Sequence, residues 1–519
     1  MPVPFRGRRT RRAFLSGAGA ALAGLLAGPG LDVRRGDARS APRIAIIGAG
    51  IGGLSAALAL HDRGVRCTVY EAQHRIGGRM HSEVSFWGNG QVSEYGGELI
   101  DTDHTTMQAL AKRFGLHLTD VLADEGDRQQ TIFQNGKYYT EPELFHDFRP
   151  VYKILAAQVA AAGEATTYNR STPTGRALDR LNLNQWIERY VPGGLKSDLG
   201  TYMLLQYVAE YGIDPERQSS LNMVYWIGRQ PNYNATTGEF VALGPSDERF
   251  HITRGNQRLP EAIAASLPPG TVQLGRRLTA IARRSDGSIA LTFNGGGGIA
   301  TEVVDKAIVA IPFIVLRDVD TSRAGFDALK QTAIRELGYG DHSKLILQFD
   351  ERYWRNPGPW PGSSSGDITY DGPFVQTWEG SRGQSGKTGL IVDFAAAAGS
   401  AAIHPAGPYT TSATPSTAAY AKTFATQLEH VWPGATHHFT GKATLSHVTA
   451  DPFARGSYAG WLRGQYTKFA GYERVRQGNV FFAGEHCSIL LQGFMEGAAR
   501  EGARAAHEIL ADIGLAATA

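Results

Sequence analysis

Four apolar positions in a row, Ile44, Ala45, Ile46 and Ile47, run into the glycine turn Gly48-x-Gly50-x-x-Gly53. A stretch rich in alanine and leucine follows, then a second apolar run to Tyr70, then the acid Glu71. An unbroken apolar run bounded by glycine predicts a strand buried on both faces, and the segment after the turn predicts a helix. Residues 105–115 have helical spacing that stops at Gly115. From about 140 to 245 the pattern is mostly helical and carries Tyr190, Tyr202, Tyr207, Tyr211, Tyr225 and Trp226, which either pack a helical core or line a pocket. Alternation returns at 278–311, where Ser288–Phe293 and Val303–Ile311 predict strands around Asp286-Gly287 and the loop Gly295–Gly298. Ser343–Phe349 predicts a further strand, and 355–417, rich in Pro, Gly, Ser and Thr, predicts loops around short strands. Gly493–Ile513 starts at a glycine and continues as a helix, and no internal repeat is visible.

The strand, glycine turn, helix and acid at 43–71 form a dinucleotide site in its expected context. The first glycine makes the turn, the second admits a pyrophosphate, the third lets helix and strand pack, and Glu71 stands where a ribose-binding acid belongs. Gly77-Gly78-Arg79 follows directly, and nicotinamide binding does not need it. It resembles the extension of FAD-binding flavoproteins, where backbone and arginine meet the flavin-side phosphate. The expected cofactor is therefore FAD. One strand–turn–helix cannot enclose a flavin, so Phe481–His486 and Gly493–Ala498 are expected to complete the site from the far end of the chain.

Length and charge add three constraints. The 519 residues are long for one core and predict two domains. The expected division is a discontinuous FAD-binding domain over 41–115, 245–335 and 435–519, with 116–244 and 336–434 forming the substrate domain. Hydrophobic content of 42% and 63 glycines fit an α/β protein with many tight loops. The net charge of +3 is uneven: residues 1–40 hold eight arginines and two aspartates, net +6, which leaves −3 for the rest. That balance gives no argument for nucleic-acid binding. Thr10-Arg11-Arg12-Ala13-Phe14-Leu15 matches a twin-arginine export signal, a route that carries proteins already folded around a cofactor. The following Gly/Ala/Leu stretch is too short and glycine-rich for a stable membrane anchor, and Ala38, Ser40 and Ala41 are candidate cleavage positions. The expected location is thus periplasmic or extracellular. The two cysteines, Cys67 and Cys487, do not suggest a disulfide, and the 15 histidines form no metal-ligand cluster in the sequence.

Several segments, taken in order, resemble one family, the flavin-containing amine oxidases. They are Val309-Ala310-Ile311-Pro312-Phe313, Ser343–Phe349 with Tyr353-Trp354, Asp451–Tyr458, FFAGEH at 481–486 and GFMEGA at 493–498. With the glycine turn they span about 43 to 510. The resemblance implies a Rossmann-like FAD domain joined to a mixed α+β substrate domain. It implies oxidation of the C–N bond of an amine or L-amino acid to an imine that hydrolyses, with O2 reduced to H2O2. The cofactor carries the hard chemistry, so no nucleophilic triad is needed and none is found. Lys344 matches the family lysine that assists the oxygen reaction. Tyr458 and Phe494 match the aromatic pair flanking the amine, with phenylalanine in place of the more usual second tyrosine. Gly96, Gly97, Gly484, Glu485, Gly493 and Met495 fall in segments expected against the flavin, and Trp461 is a further substrate-side candidate. Ser457 stands where some relatives attach the flavin through cysteine, so FAD is expected to be non-covalent.

Substrate choice stays open at this level. Where many L-amino acid oxidases place a carboxylate-binding arginine, this chain has Glu98 and Leu99, which disfavours an amino acid unless another residue such as Arg463 supplies the clamp. Glu98 and Asp101 either attract a second ammonium or pair with a local arginine. Two other readings remain: a desaturase or dehydrogenase using an acceptor other than oxygen, and a non-enzymatic FAD-binding module. The expected partners are a small amine or amino acid and O2, and a homodimer is left open.

Overall fold

The computed structural model describes residues 41–515. The twin-arginine segment and its cleavage positions up to Ser40 lie outside the described residues. A five-stranded parallel sheet runs in the order Val480–Phe482, Lys306–Val309, Ile44–Ile47, Thr68–Tyr70, Val272–Gln273. Its strands come from distant parts of the chain because both faces are apolar and both are covered. Ile44, Ile46, Ile308 and Phe481 join one core with the helix Ile51–His61 and the C-terminal helix Met495–Asp512. Ala45, Ile47, Ala307, Val309, Val480 and Phe482 join the other. The two helices meet through small residues, Ala56, Ala57, Ala498, Ala499, Ala505 and Ala506, all buried. Small side chains let the backbones approach closely, so the chain's two ends build one unit.

An eight-stranded sheet runs Tyr409–Thr411, Phe439–His447, His342–Phe349, Gly389–Ala396, Gln376–Glu379, Ser364–Tyr370, Gln129–Gln134, Lys137–Tyr138. Every residue of His342–Phe349 is buried, and Lys344 lies opposite Phe394 and Ser446 in the flanking strands. Helices run between Glu141 and Ile227 as the periodicity predicts, but 228–245, read from sequence as part of the same helical stretch, holds none. A four-stranded sheet (Gly298–Val304, Ile289–Gly295, Arg277–Arg283, Asp320–Arg323) completes the architecture, a mixed α/β fold with a Rossmann-like portion. Among the described residues no helix is long and apolar enough to cross a membrane.

Three expectations change. Val303–Ile311 is not one strand. Gly298–Val304 closes a hairpin, and Lys306–Val309 enters the parallel sheet; a run of alternating apolar residues does not reveal a change of sheet at Asp305. Residues 355–417 are more regular than their composition suggests, since Ser364–Tyr370, Gln376–Glu379 and Gly389–Ala396 are all strands of the large sheet. Phe439–His447, grouped by sequence with the cofactor segments from 435, pairs with His342–Phe349 in that large sheet.

Candidate active site

The glycine turn is held from two sides. The Glu71 carboxylate accepts the Ala49 N–H at 2.7 Å and the Gln73 N–H at 2.8 Å. Burial raises the Glu71 pKa, and those backbone bonds work against the rise. The helix Ile51–His61 begins at Gly50 with no side-chain cap and no acid in its first turn, so its N–H groups and dipole are free for an anion. A Cβ on Gly50 would meet nothing nearer than 4.0 Å, so the turn opens into a cradle. Gly53 is the opposite case: its Cβ would stand 1.9 Å from the Gly48 carbonyl oxygen.

This turn forms one wall of a cavity of about 320 Å³ between the parallel sheet and the large sheet. Gly48, Gly50, Glu71, Gly78, Arg79, Gly96, Gly97, Glu98, Lys344, Tyr458, Gly484, Glu485, Gly493, Phe494 and Met495 all line it. Gly53 does not, because it serves the packing beneath. Glu485 ties the surrounding segments together: its carboxylate accepts Arg79 Nη1 at 2.9 Å, the Gly493 N–H at 2.9 Å and the Ala459 N–H at 3.3 Å. Glu496 has a different task, accepting the Thr106 and Met107 N–H groups at the start of the helix Thr105–Arg113. The open helix end, the glycine cradle and Glu71 fit the diphosphate and ribose of FAD, which supplies the hydride-accepting chemistry when bound.

At the other end of the cavity Lys344 is nearly buried, and its ammonium donates to the Gly96 carbonyl and the Glu98 carboxylate, each at 2.8 Å. The second Glu98 oxygen accepts Trp378 Nε1 at 3.0 Å. Burial raises the Glu98 pKa, but the charge and bond of Lys344 and the Trp378 N–H outweigh it and hold the carboxyl below its ordinary value. The local partner of Glu98 is thus a lysine, not an arginine. The strap bearing Glu98 is fixed by Asn256 Nδ2, which donates to the Gly97 and Glu98 carbonyls, and by buried Glu94, which accepts Ser82 Oγ and the Asn256 N–H.

Tyr458 donates its hydroxyl to the Glu210 carbonyl, and its ring abuts Gly493. Phe494 lies against His104 and Trp226, with ring centroids 5.1 and 5.4 Å away. Trp461 does not line the cavity. It is buried against Tyr466 and Phe469 and borders a smaller cavity of about 90 Å³ with Tyr211, Tyr225 and Trp226. Of the aromatics on the helical stretch, Tyr202 and Tyr207 are core. Arg463 is exposed and lies outside the lining.

Among the lining residues that sequence did not single out, Glu210, Glu248, His342 and Phe394 stand out. Glu210 and Glu248 are half-buried and open to the cavity, and Phe394 stacks on His342 at 4.3 Å. Burial pushes the Glu210 carboxyl up to about 8, with the Glu248 and Asp101 charges adding to it. Burial likewise pushes Glu248 up to about 8, reinforced by Asp101. Glu210 had a legible signal, an acid inside the apolar helix Asp198–Tyr211, but Glu248 sits in a charged loop at φ +47°. His342 is buried, and burial lowers its pKa to about 4. Its Nε2 faces the Ala209 carbonyl at 2.7 Å and so carries the proton, which makes Nδ1 the acceptor for the Ser457 hydroxyl at 2.6 Å. Asp101, Asp103 and His104 are the one group among the described residues close enough together to hold a metal ion. His104 Nδ1 accepts the Asp101 N–H, leaving Nε2 protonated toward Asp101 Oδ2.

Residues 51–510 match the model of the family described as flavin containing amine oxidoreductase. The chain belongs to this family. It is an FAD-dependent oxidoreductase acting on CH–NH or CH–NH2 donors. Polyamine oxidase 2 of Arabidopsis thaliana is 25% identical over 491 residues, covering 90% of this chain and 88% of the relative. The flavin-dependent L-tryptophan oxidase RebO of Lentzea aerocolonigenes is 26% identical over 352 residues, covering 63% and 70%. Among solved structures, the cyclohexylamine oxidase from Brevibacterium oxydans IH-35A superposes with a TM-score of 0.74 at 20% identity, covering 91% of this chain and 99% of that one, which supports the fold.

Proposed function

We propose that this amine oxidase acts on amines carrying a second cationic group, diamines or polyamines, in preference to L-amino acids, with O2 as acceptor. The observation that carries the reading is the set of carboxylates at the substrate end: Asp101, Glu210 and Glu248 share the cavity wall, and the Glu248 N–H donates to Asp101 Oδ1 at 3.0 Å. None of the three lining arginines, Arg79, Arg276 and Arg277, bonds to these acids, although the charge of buried Arg382, outside the lining, acts on Glu248. Arg276 sits at the Glu71 end, donating its N–H to the Glu71 carbonyl at 2.7 Å, and Arg79 is bound to Glu485. A substrate carboxylate there would add negative charge to a wall that already disfavours it, whereas a distal ammonium stabilises the ionised acids as ion pairs.

The test is anaerobic bleaching of the holoenzyme by a panel of α,ω-diamines, triamines, cyclohexylamine and L-amino acids, with H2O2 measured on readmitting air. Diamines or triamines are expected to bleach fastest. Glu210→Gln and Glu248→Gln should each raise KM for those substrates about 10- to 100-fold, since a bond to a charged group contributes about 1.5–3 kcal/mol. Because both pKa values are raised to about 8, a cation binding their ionised forms must displace protons. Affinity therefore falls as pH drops below about 8 and is full above it. Bleaching only by carboxylate-bearing compounds would sink the reading.

The cofactor is read as non-covalent, because Ser457 offers no thiol and its hydroxyl is committed to His342, while Cys487 is buried away from the lining. Acid precipitation should leave the yellow chromophore in the supernatant; colour in the pellet contradicts it.

A further inference from the structure

The pair of Lys344 and Glu98 on the cavity wall puts a lysine where the sequence offered a second ammonium or an arginine as the partner of Glu98. Lys344 has three N–H donors, and two are spent, one on the Gly96 carbonyl and one on Glu98. Glu98 is itself locked, because its other oxygen is taken by Trp378 Nε1. The Lys344 ammonium lies 5.1 Å from the centroid of the Trp378 ring, so lysine, glutamate and tryptophan close a triangle. The side chains are 9% and 12% exposed. A carboxylate this confined, with both oxygens engaged, is poorly placed to receive a substrate ammonium.

We infer that Glu98 is a positioning residue for the oxygen half-reaction: it holds Lys344 as a fixed, charged ammonium and takes no part in binding amine. This rests on the reading of Lys344 as the group that assists O2. In that step O2 takes two electrons and two protons from reduced FAD and leaves as H2O2, and Lys344 ends unchanged. Its contribution is a standing positive charge beside charge that develops on oxygen. An ammonium without its counter-ion in a desolvated site gives up its proton more readily, so Glu98 decides over what pH range that charge is present. Other titratable groups act on the pair from surrounding elements. His342 lies on the strand of Lys344, two residues away. His251 acts on Glu98 and is itself bound to Glu94. Glu248 lines the same cavity and feels the Glu98 charge. The partners opposite Lys344 in the flanking strands, Phe394 and Ser446, carry no charge.

The experiment follows the rate constant for reaction of the reduced holoenzyme with O2 from pH 6 to 9.5, alongside KM and anaerobic reduction by amine. For the wild type the inference expects less than about a twofold change from pH 7 to 9. Glu98→Gln keeps the shape and an acceptor for Trp378 but removes the charge. It should lose about tenfold over the same interval, one decade per unit above the new pKa, with KM and anaerobic reduction unchanged. A readout independent of turnover is thermal melting: the double variant Lys344→Met/Glu98→Gln should melt higher than Glu98→Gln alone, because no unpaired charge remains. A flat profile in Glu98→Gln, or an effect confined to KM, overturns the inference. A wild-type profile that already falls tenfold by pH 9 overturns it whether or not the variant folds. If Lys344→Met reacts with O2 at the wild-type rate, the reading of Lys344 falls, and this inference with it. If Lys344→Met is slow but Glu98→Gln is pH-flat, only the inference falls.

Discussion

Lys344→Met is expected to slow the reaction of the reduced holoenzyme with O2 by about two to three orders of magnitude, the usual effect of removing one preorganised charge or donor. Anaerobic reduction by amine should change little. The asymmetry follows from placement. Lys344 lies on an interior strand of the large sheet, nearly buried, with its ammonium tied to the strap at Gly96–Glu98. Methionine fills a similar volume, but Glu98 then loses its counter-ion and takes up a proton instead. Breaking a buried pair by removing one partner costs about 3–5 kcal/mol, so bound flavin and melting temperature are checked before the kinetics are read. Stopped-flow mixing of reduced enzyme with O2 measures the effect, and an unchanged rate constant would remove Lys344 from the reaction.

Gly53→Ala is expected to yield protein largely free of flavin. The new Cβ would stand 1.9 Å from the Gly48 oxygen and 3.3 Å from the Ile46 side chain. The obstacle is backbone, and it belongs to the turn that cradles the diphosphate. Relief requires the helix Ile51–His61 to move away from the strand Ile44–Ile47, yet that helix is clamped from behind by Met495–Asp512. Overpacking a tight core costs about 1–3 kcal/mol in stability, and here the displacement also opens the anion cradle. The ratio of flavin to protein absorbance in purified material reads this directly. A fully yellow variant with wild-type melting would show that close packing at Gly53 is dispensable.

The acids Glu210 and Glu248 bear on a question that local motifs left undecided. From sequence, Glu98 was the one visible departure at the position where amino-acid oxidases place an arginine, and it raised the prospect of an acidic substrate site. The structure assigns that carboxylate to Lys344, keeps Asp101 on the cavity wall and adds Glu210 and Glu248. Glu210 arrives from the end of the helix Asp198–Tyr211, Glu248 from a loop at a left-handed backbone angle, and Asp101 from the strap beyond Gly97. They are far apart in sequence, and only folding brings them to one wall, where the lack of solvent raises their proton affinity.

The sequence by itself determined the dinucleotide turn, its acid, the glycine-lined segments at 96–97, 484–485 and 493–495, the lysine strand and Tyr458. Each of these is local: spacing dictates the glycine turn and the buried strands, while the resemblance to the flavin amine oxidases singled out Lys344, Tyr458 and the other glycine segments, all of which line the cavity. It missed what depends on a long-range neighbour. Trp461 looks like a substrate contact beside Tyr458, but the chain turns it into the core. Val303–Ile311 looks continuous, but its two halves bond to different sheets. Whether Glu98 meets a ligand or Lys344, and whether Arg463 faces substrate or solvent, is decided by which elements pack together. That is settled by burying apolar faces contributed from across the chain, not by the order of residues along any one stretch.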